Sequence, residues 1–128
     1  MRRIGSKNTK PELAVRSLLH RMGLRFRLHV ASLPGCPDIV LPRWRTVLFV
    51  HGCFWHQHPR CAEGRIPQSR REYWQPKLQR NCERDRAALR ALRKLGWRVL
   101  VVWECEIKNS DRLRRRLQRL LQVPAPSA

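Results

Sequence analysis

Three short apolar runs constrain this 128-residue chain more than anything else in it: DIVL at 38–41, TVLFV at 46–50 and WRVLVVWE at 97–104. All are far too short to span a bilayer, and each reads as a strand buried in a sheet. The turn-like PRWR separates the first two, which makes them a hairpin in the middle of that sheet. LRFRLHV at 24–30 alternates Leu24, Phe26, Leu28 and Val30 with Arg25, Arg27 and His29, the pattern of a half-buried strand with a basic outer face. Helical signals lie between these runs. Thr9 and Glu12 form a T-x-x-E capping box, with Pro11 early and Val15, Leu18, Leu19 and Met22 on one face, and Gly23 ends the segment. A second helix runs from about Glu72 or Pro76 to Leu95 and is closed by Gly96; a third runs from Asp111 to Leu121 with Leu113, Leu117, Leu120 and Leu121 inward. Helices alternating with strands predict an α/β fold, a central mixed β-sheet flanked by helices. One domain over 1–128 accommodates all of it, with 122–128 a flexible tail.

The surface of such a domain must carry an extreme charge. Lys and Arg number 28 against nine acids, a formal net charge of +19. Self-repulsion of that size calls for a polyanionic partner, and nucleic acid is the first candidate. A low-complexity basic coat is excluded by five tryptophans and the amphipathic segments. Met1-Arg2-Arg3 is not followed by a signal-peptide core, which places the chain in a reducing compartment. The five cysteines then favour metal ligation over disulfides.

Clustered ligands appear in VHGCFWHQHPRC, 50–61. Cys53, His58 and Cys61 offer three soft donors in nine residues, and Cys105, at the end of the last core strand, offers a fourth. Three thiolates and one imidazole suit a closed tetrahedral zinc site, although on spacing alone His56 could replace His58, or the cysteines could be small buried hydrophobes. His51 and His56 are then left over; beside a metal loop and a strand-mouth aspartate they could form a hydrolytic centre. Among the acids, Asp38 stands between a proline and a buried strand, where it caps a turn, pairs with an arginine or holds a divalent cation. Glu12 has its capping role. Asp85 lies on or beside the face that Leu78, Leu89 and Leu92 turn to the core, where a charge requires an ion pair, a histidine or a metal.

PGCPDIVL, VHGCFWHQH, NCERDRAAL and GWRVLVVWEC, in this order, resemble the very short patch repair (Vsr) endonucleases from about Ser6 to Lys108. The resemblance implies a restriction-endonuclease-like fold and a strand-specific, Mg2+-dependent DNA nickase that cuts 5′ to the thymine of T:G mismatches left by 5-methylcytosine deamination. By position it makes Asp38 a Mg2+ ligand together with the backbone carbonyl of Val50, and His51 and His56 catalytic, with His56 the general base or water-positioning group. Glu12 and Asp85 become supporting acids, and Cys53, His58, Cys61 and Cys105 the structural Zn2+ ligands. Phe54, Trp55 and Trp74 become aromatics that wedge into the duplex. It further implies a cytoplasmic, nucleoid-associated bacterial monomer, double-stranded DNA with a T:G mismatch as substrate, and a MutL-type protein as partner. The D-x-K ending of restriction-type sites is absent, so histidine replaces lysine. Pro59-Arg60 adds one residue to the cluster, the N-terminal arm is short or missing, and Cys36 and Cys82 are incidental thiols. The alternatives are a related endonuclease of different mismatch or sequence choice, and a zinc-stabilised DNA-binding module without cleavage.

Overall fold

The computed structural model describes residues 9–59, 61, 66 and 68–121. The expectations for the N-terminal arm and for a tail at 122–128 lie outside these residues. In order, the elements are α1 (Lys10–Arg21), β1 (Arg27–Leu28), β2 (Ile39–Leu41), β3 (Thr46–His51), α2 (Arg71–Lys94), β4 (Arg98–Trp103) and α3 (Ser110–Leu121). A four-stranded mixed sheet of order β1-β2-β3-β4 holds them together, antiparallel between the first three strands and parallel between β3 and β4.

Period-2 alternation divides the sheet cleanly. Ile39, Leu41, Leu48, Leu100 and Val102 meet Val15, Leu18 and Leu19 of α1 and Leu113, Leu117 and Leu121 of α3. On the opposite face Val40, Val47, Phe49, Val99 and Val101 cluster with Leu89 and Leu92 of α2. The hairpin, the last strand and all three helices thus form where the apolar patterns place them. Thr9 Oγ1 accepts from the Glu12 N–H at 3.4 Å, half of the capping box.

The first strand is a correction. Instead of a half-buried strand over 24–30, only Arg27 and Leu28 pair, both are exposed, and Leu28 keeps 39% of its surface. His29 ends the pairing by entering the left-handed region at φ 48°, and its N–H donates to the Asp38 carbonyl at 3.1 Å. This twist breaks the alternation and turns His29 from the expected outer face towards Glu12, 2.7 Å away.

Gly35 is held tightly in the turn leading to Asp38. At φ +75° a Cβ added there would lie 2.6 Å from Ala88 Cβ on α2 and 3.3 Å from the Phe49 ring. Only glycine allows this approach. At the other end of the sheet, Arg116 of α3 makes two hydrogen bonds to the Glu106 carboxylate and one to the Val101 carbonyl, while Glu106 Oε1 accepts from the Trp103 N–H. The end of β4 is thereby anchored just before Cys105.

Candidate active site and metal cluster

β3 ends at His51, and the chain then coils on itself. The His56 N–H donates to the Gly52 carbonyl (3.1 Å), Gln57 to Phe54 (3.2 Å) and His58 to Cys53 (2.9 Å). Two groups of α2 pin this loop from outside: Asn81 Nδ2 donates to the Trp55 carbonyl at 2.6 Å and Cys82 Sγ to the His56 carbonyl at 3.6 Å. Cys82 is therefore part of the loop's support rather than incidental.

One side of the loop carries Cys53, His58, Cys61 and Cys105, whose donor atoms lie within 4.8 Å of one another. His58 Nδ1 is 3.7 Å from Cys53 Sγ and 3.4 Å from Cys105 Sγ, and its ring stacks on Trp103 at 4.1 Å. Tetrahedral zinc with ordinary bond lengths separates a sulfur and a nitrogen ligand by about 3.6 Å, so the donors fit such an ion. His58, not His56, is the imidazole that lies with the three cysteines. Burial pushes the Cys53 thiol up to about 12 and raises that of Cys105. A cation is what would turn these thiols into thiolates.

On the loop's other side the His51 and His56 rings stack in parallel with centroids 3.7 Å apart. His56 Nδ1 lies 2.5 Å from Asp85 Oδ2. A carboxylate can only accept, so Nδ1 carries a proton, and the tautomer this selects has its lone pair at Nε2. Asp85, expected beside the core-facing side of α2, has its histidine partner. Burial, then the neighbouring His56, hold His51 down at about 4 against the opposing pull of Asp85. His51 Nδ1 is buried without a hydrogen-bond partner among the described residues.

A third cluster joins Glu12, His29 and Asp38, again with donors within 4.8 Å of one another. Asp38 Oδ2 accepts from the Val50 N–H at 2.7 Å, so β2 and β3 hold this carboxylate in place. Burial pushes Asp38 up to about 6, reinforced by Glu12 and opposed by the Val50 N–H, His29 and His56. Glu12 is buried and also contacts Arg16 and His29, a further task beyond the cap. His29 is the residue that sequence reading missed. No spacing rule flags a single histidine on an alternating strand, because its inward turn depends on one backbone dihedral.

The three aromatics lie together. Phe54, Trp55 and Trp74 contact one another edge to face with centroids 5.2 to 5.4 Å apart. Half of Trp55 is exposed, and Tyr73, packed edge-on to Trp74, is equally open. Buried aromatics would build a core, whereas these form an apolar prow beside the two histidines.

Clustered acids, paired imidazoles and an aromatic edge on a highly basic domain suit an enzyme that acts on nucleic acids. The family described as DNA mismatch endonuclease Vsr matches residues 1–63. Over 121 residues the chain is 55% identical to the type II nicking enzyme V.XorIIP of Xanthomonas oryzae pv. oryzae, covering 94% of this chain and 88% of that one. It is 48% identical to the type II nicking enzyme V.NmeAIP of Neisseria meningitidis over 95% of this chain and 86% of the relative. To the DNA mismatch endonuclease Vsr of Escherichia coli K12 it is 47% identical, over 88% of this chain and 72% of the relative. The chain belongs to the Vsr endonuclease family and is an endodeoxyribonuclease that nicks DNA. These relatives extend the similarity beyond residue 63 into the half that supplies Trp74, Asp85 and Cys105.

Proposed function

We propose that this enzyme makes a Mg2+-dependent, strand-specific nick 5′ to the thymine of a T:G mismatch arising from 5-methylcytosine deamination. The observation that carries this reading is the loop 52–61. Its backbone carries Cys53, His58 and Cys61 of the Cys/His cluster, His56 of the imidazole pair and Phe54 and Trp55 of the aromatic prow, which meet Cys105, His51 and Trp74 from neighbouring elements. Zinc at Cys53, His58, Cys61 and Cys105 fixes the loop. Phe54, Trp55 and Trp74 enter the stack beside the mismatch, where unstacking is least costly, so selectivity draws on deformability.

Asp38 and the Val50 carbonyl hold the catalytic cation, with Glu12 behind them. When bound, that ion supplies charge stabilisation at the phosphate and the departing 3′ oxygen. His56, oriented by Asp85, takes a proton from the attacking water at Nε2. The water oxygen bonds to phosphorus as the bond to the 3′ oxygen breaks, leaving a 5′-phosphate and a 3′-hydroxyl that gains its proton from solvent. His51 stays neutral and offers its orphaned Nδ1 for hydrogen bonding at the site. The remaining parts of this reading are a restriction-endonuclease-like fold, a monomer acting in the bacterial cytoplasm at the nucleoid, and a MutL-type partner. The mixed sheet supports the fold, and the high positive charge supports action on DNA.

End-labelled duplexes carrying one T:G or a matched T:A, with and without Mg2+, test the proposal. The expected result is a single nick beside the mismatched thymine, absent with Asp38→Ala. Equal cutting of matched DNA would instead favour a sequence-specific nickase.

A further inference from the structure

The cluster of Glu12, His29 and Asp38 contains one more donor than the cation site described above uses. We propose that His29 is a direct nitrogen ligand of the cation held by Asp38, and that with Glu12 it gives this site a higher affinity for Mn2+ than for Mg2+. The inference rests on the reading of Asp38 as a cation ligand.

Three observations place His29 there. Its backbone is in the left-handed region at φ 48°, which is uncommon for a residue with a Cβ. Such a conformation is strained and persists where surrounding structure enforces it, often at ligand sites. The backbone bond from His29 N–H to the Asp38 carbonyl locks the two residues to one another. Second, His29 Nε2 is buried and 2.7 Å from Glu12 Oε2, yet it has no aligned hydrogen bond. A histidine serving only to hold Glu12 would align its N–H with that oxygen, whereas donors converging on a common point face each other obliquely. Third, Arg16 contacts Glu12 as well, but one guanidinium against two carboxylates leaves unbalanced negative charge when both are ionised.

The dimensions agree. A six-coordinate ion with bonds of about 2.1 Å holds its donors about 3.0 to 4.2 Å apart. Donors already within 4.8 Å need only small side-chain rotations to reach those separations. Mg2+ prefers an all-oxygen shell, while an imidazole nitrogen raises affinity along the transition-metal series. Excess Mg2+ still fills the site by mass action, so Mg2+-dependent cleavage and preferential Mn2+ binding are compatible.

The test uses the zinc-loaded full-length chain without DNA. Mn2+ is titrated by electron paramagnetic resonance, and bound Mn2+ is examined by pulsed methods for coupling to 14N. Wild type should show that coupling. His29→Gln should lose it and bind Mn2+ about tenfold or more weakly, with a smaller change for Mg2+. Coupling that is absent from wild type, or that survives in His29→Gln, overturns the proposal, the latter assigning the nitrogen to His51 or His56. Mn2+ binding unchanged in Asp38→Ala would sink the underlying cation-site reading. Loss in Asp38→Ala with no change in His29→Gln would remove His29 alone. Circular dichroism and zinc content establish that each variant folds. Anomalous diffraction from Mn2+-soaked wild-type crystals needs no variant and should place the ion within bonding distance of His29 Nε2.

Discussion

Two of the three metal-capable clusters among the described residues are built on opposite plans. Cys53, His58 and Cys61 lie on one short loop, and burial raises the Cys53 thiol so that it favours its neutral form until a cation arrives. Glu12, His29 and Asp38 come from a helix, a strand end and a hairpin mouth, and two of them are acids pressed together before any ion is present. The first plan makes metal binding a folding event, and the second stores repulsion that a cation relieves. Metal loss should therefore cost shape at one site and chemistry at the other.

The largest break in this contrast should come from Cys105→Ser. Losing a ligand of a structural zinc forfeits a sizeable part of a binding free energy of roughly 10 kcal/mol or more. Zinc content, thermal midpoint and nicking should all fall, and a variant that keeps its midpoint and activity would refute the structural role. Asp38→Asn should separate the two quantities instead. Cleavage is expected to drop by about 100-fold or more with the cation ligand gone, while the fold becomes more stable at pH 7. The sign follows from linkage. Asp38 moves from 3.8 unfolded to about 6 folded, so its contribution is fully present below 3.8 and is lost as pH rises through 6. At pH 7, without divalent cations, ionised Asp38 destabilises the fold by on the order of 2–3 kcal/mol, which the amide removes. Denaturant unfolding of both proteins in magnesium-free buffer measures the difference.

Trp74→Ala should act more gently, weakening mismatch binding by about 1–3 kcal/mol while zinc stays bound; fluorescence anisotropy with a T:G duplex reads it. The smallest effect concerns pH. His51 falls from 6.5 unfolded to about 4 folded, so below 6.5 the unfolded chain binds the extra proton and stability declines towards pH 4. Asp38 works in the opposite direction over nearly the same window, and the native protein should show a shallow slope there. Asp38→Asn should expose the steeper histidine slope, and an unchanged slope would argue against one of the two shifts.

Legibility in the sequence followed the same division. Loop 50–61 could be read because its ligands are neighbours, and Asp38 because an acid at the mouth of an apolar hairpin is conspicuous. Each buried strand was visible because three-residue to six-residue apolar runs leave few alternatives. The alternation at 24–30 misled, since pairing there extends over only two residues and one left-handed dihedral reverses the next side chain. Cys82 was dismissed because its reach to the His56 carbonyl depends on how α2 crosses the loop.

Gly35 and Ala88 touch where the turn before Asp38 meets the helix that carries Asp85. A side chain at 35 is barred three times over, by the Ala88 methyl, by the Phe49 ring and by the positive φ, so trimming position 88 would not release it. Directed evolution of this enzyme should keep glycine at 35, and with it the spacing between Asp38 and Asp85 is inherited as one unit.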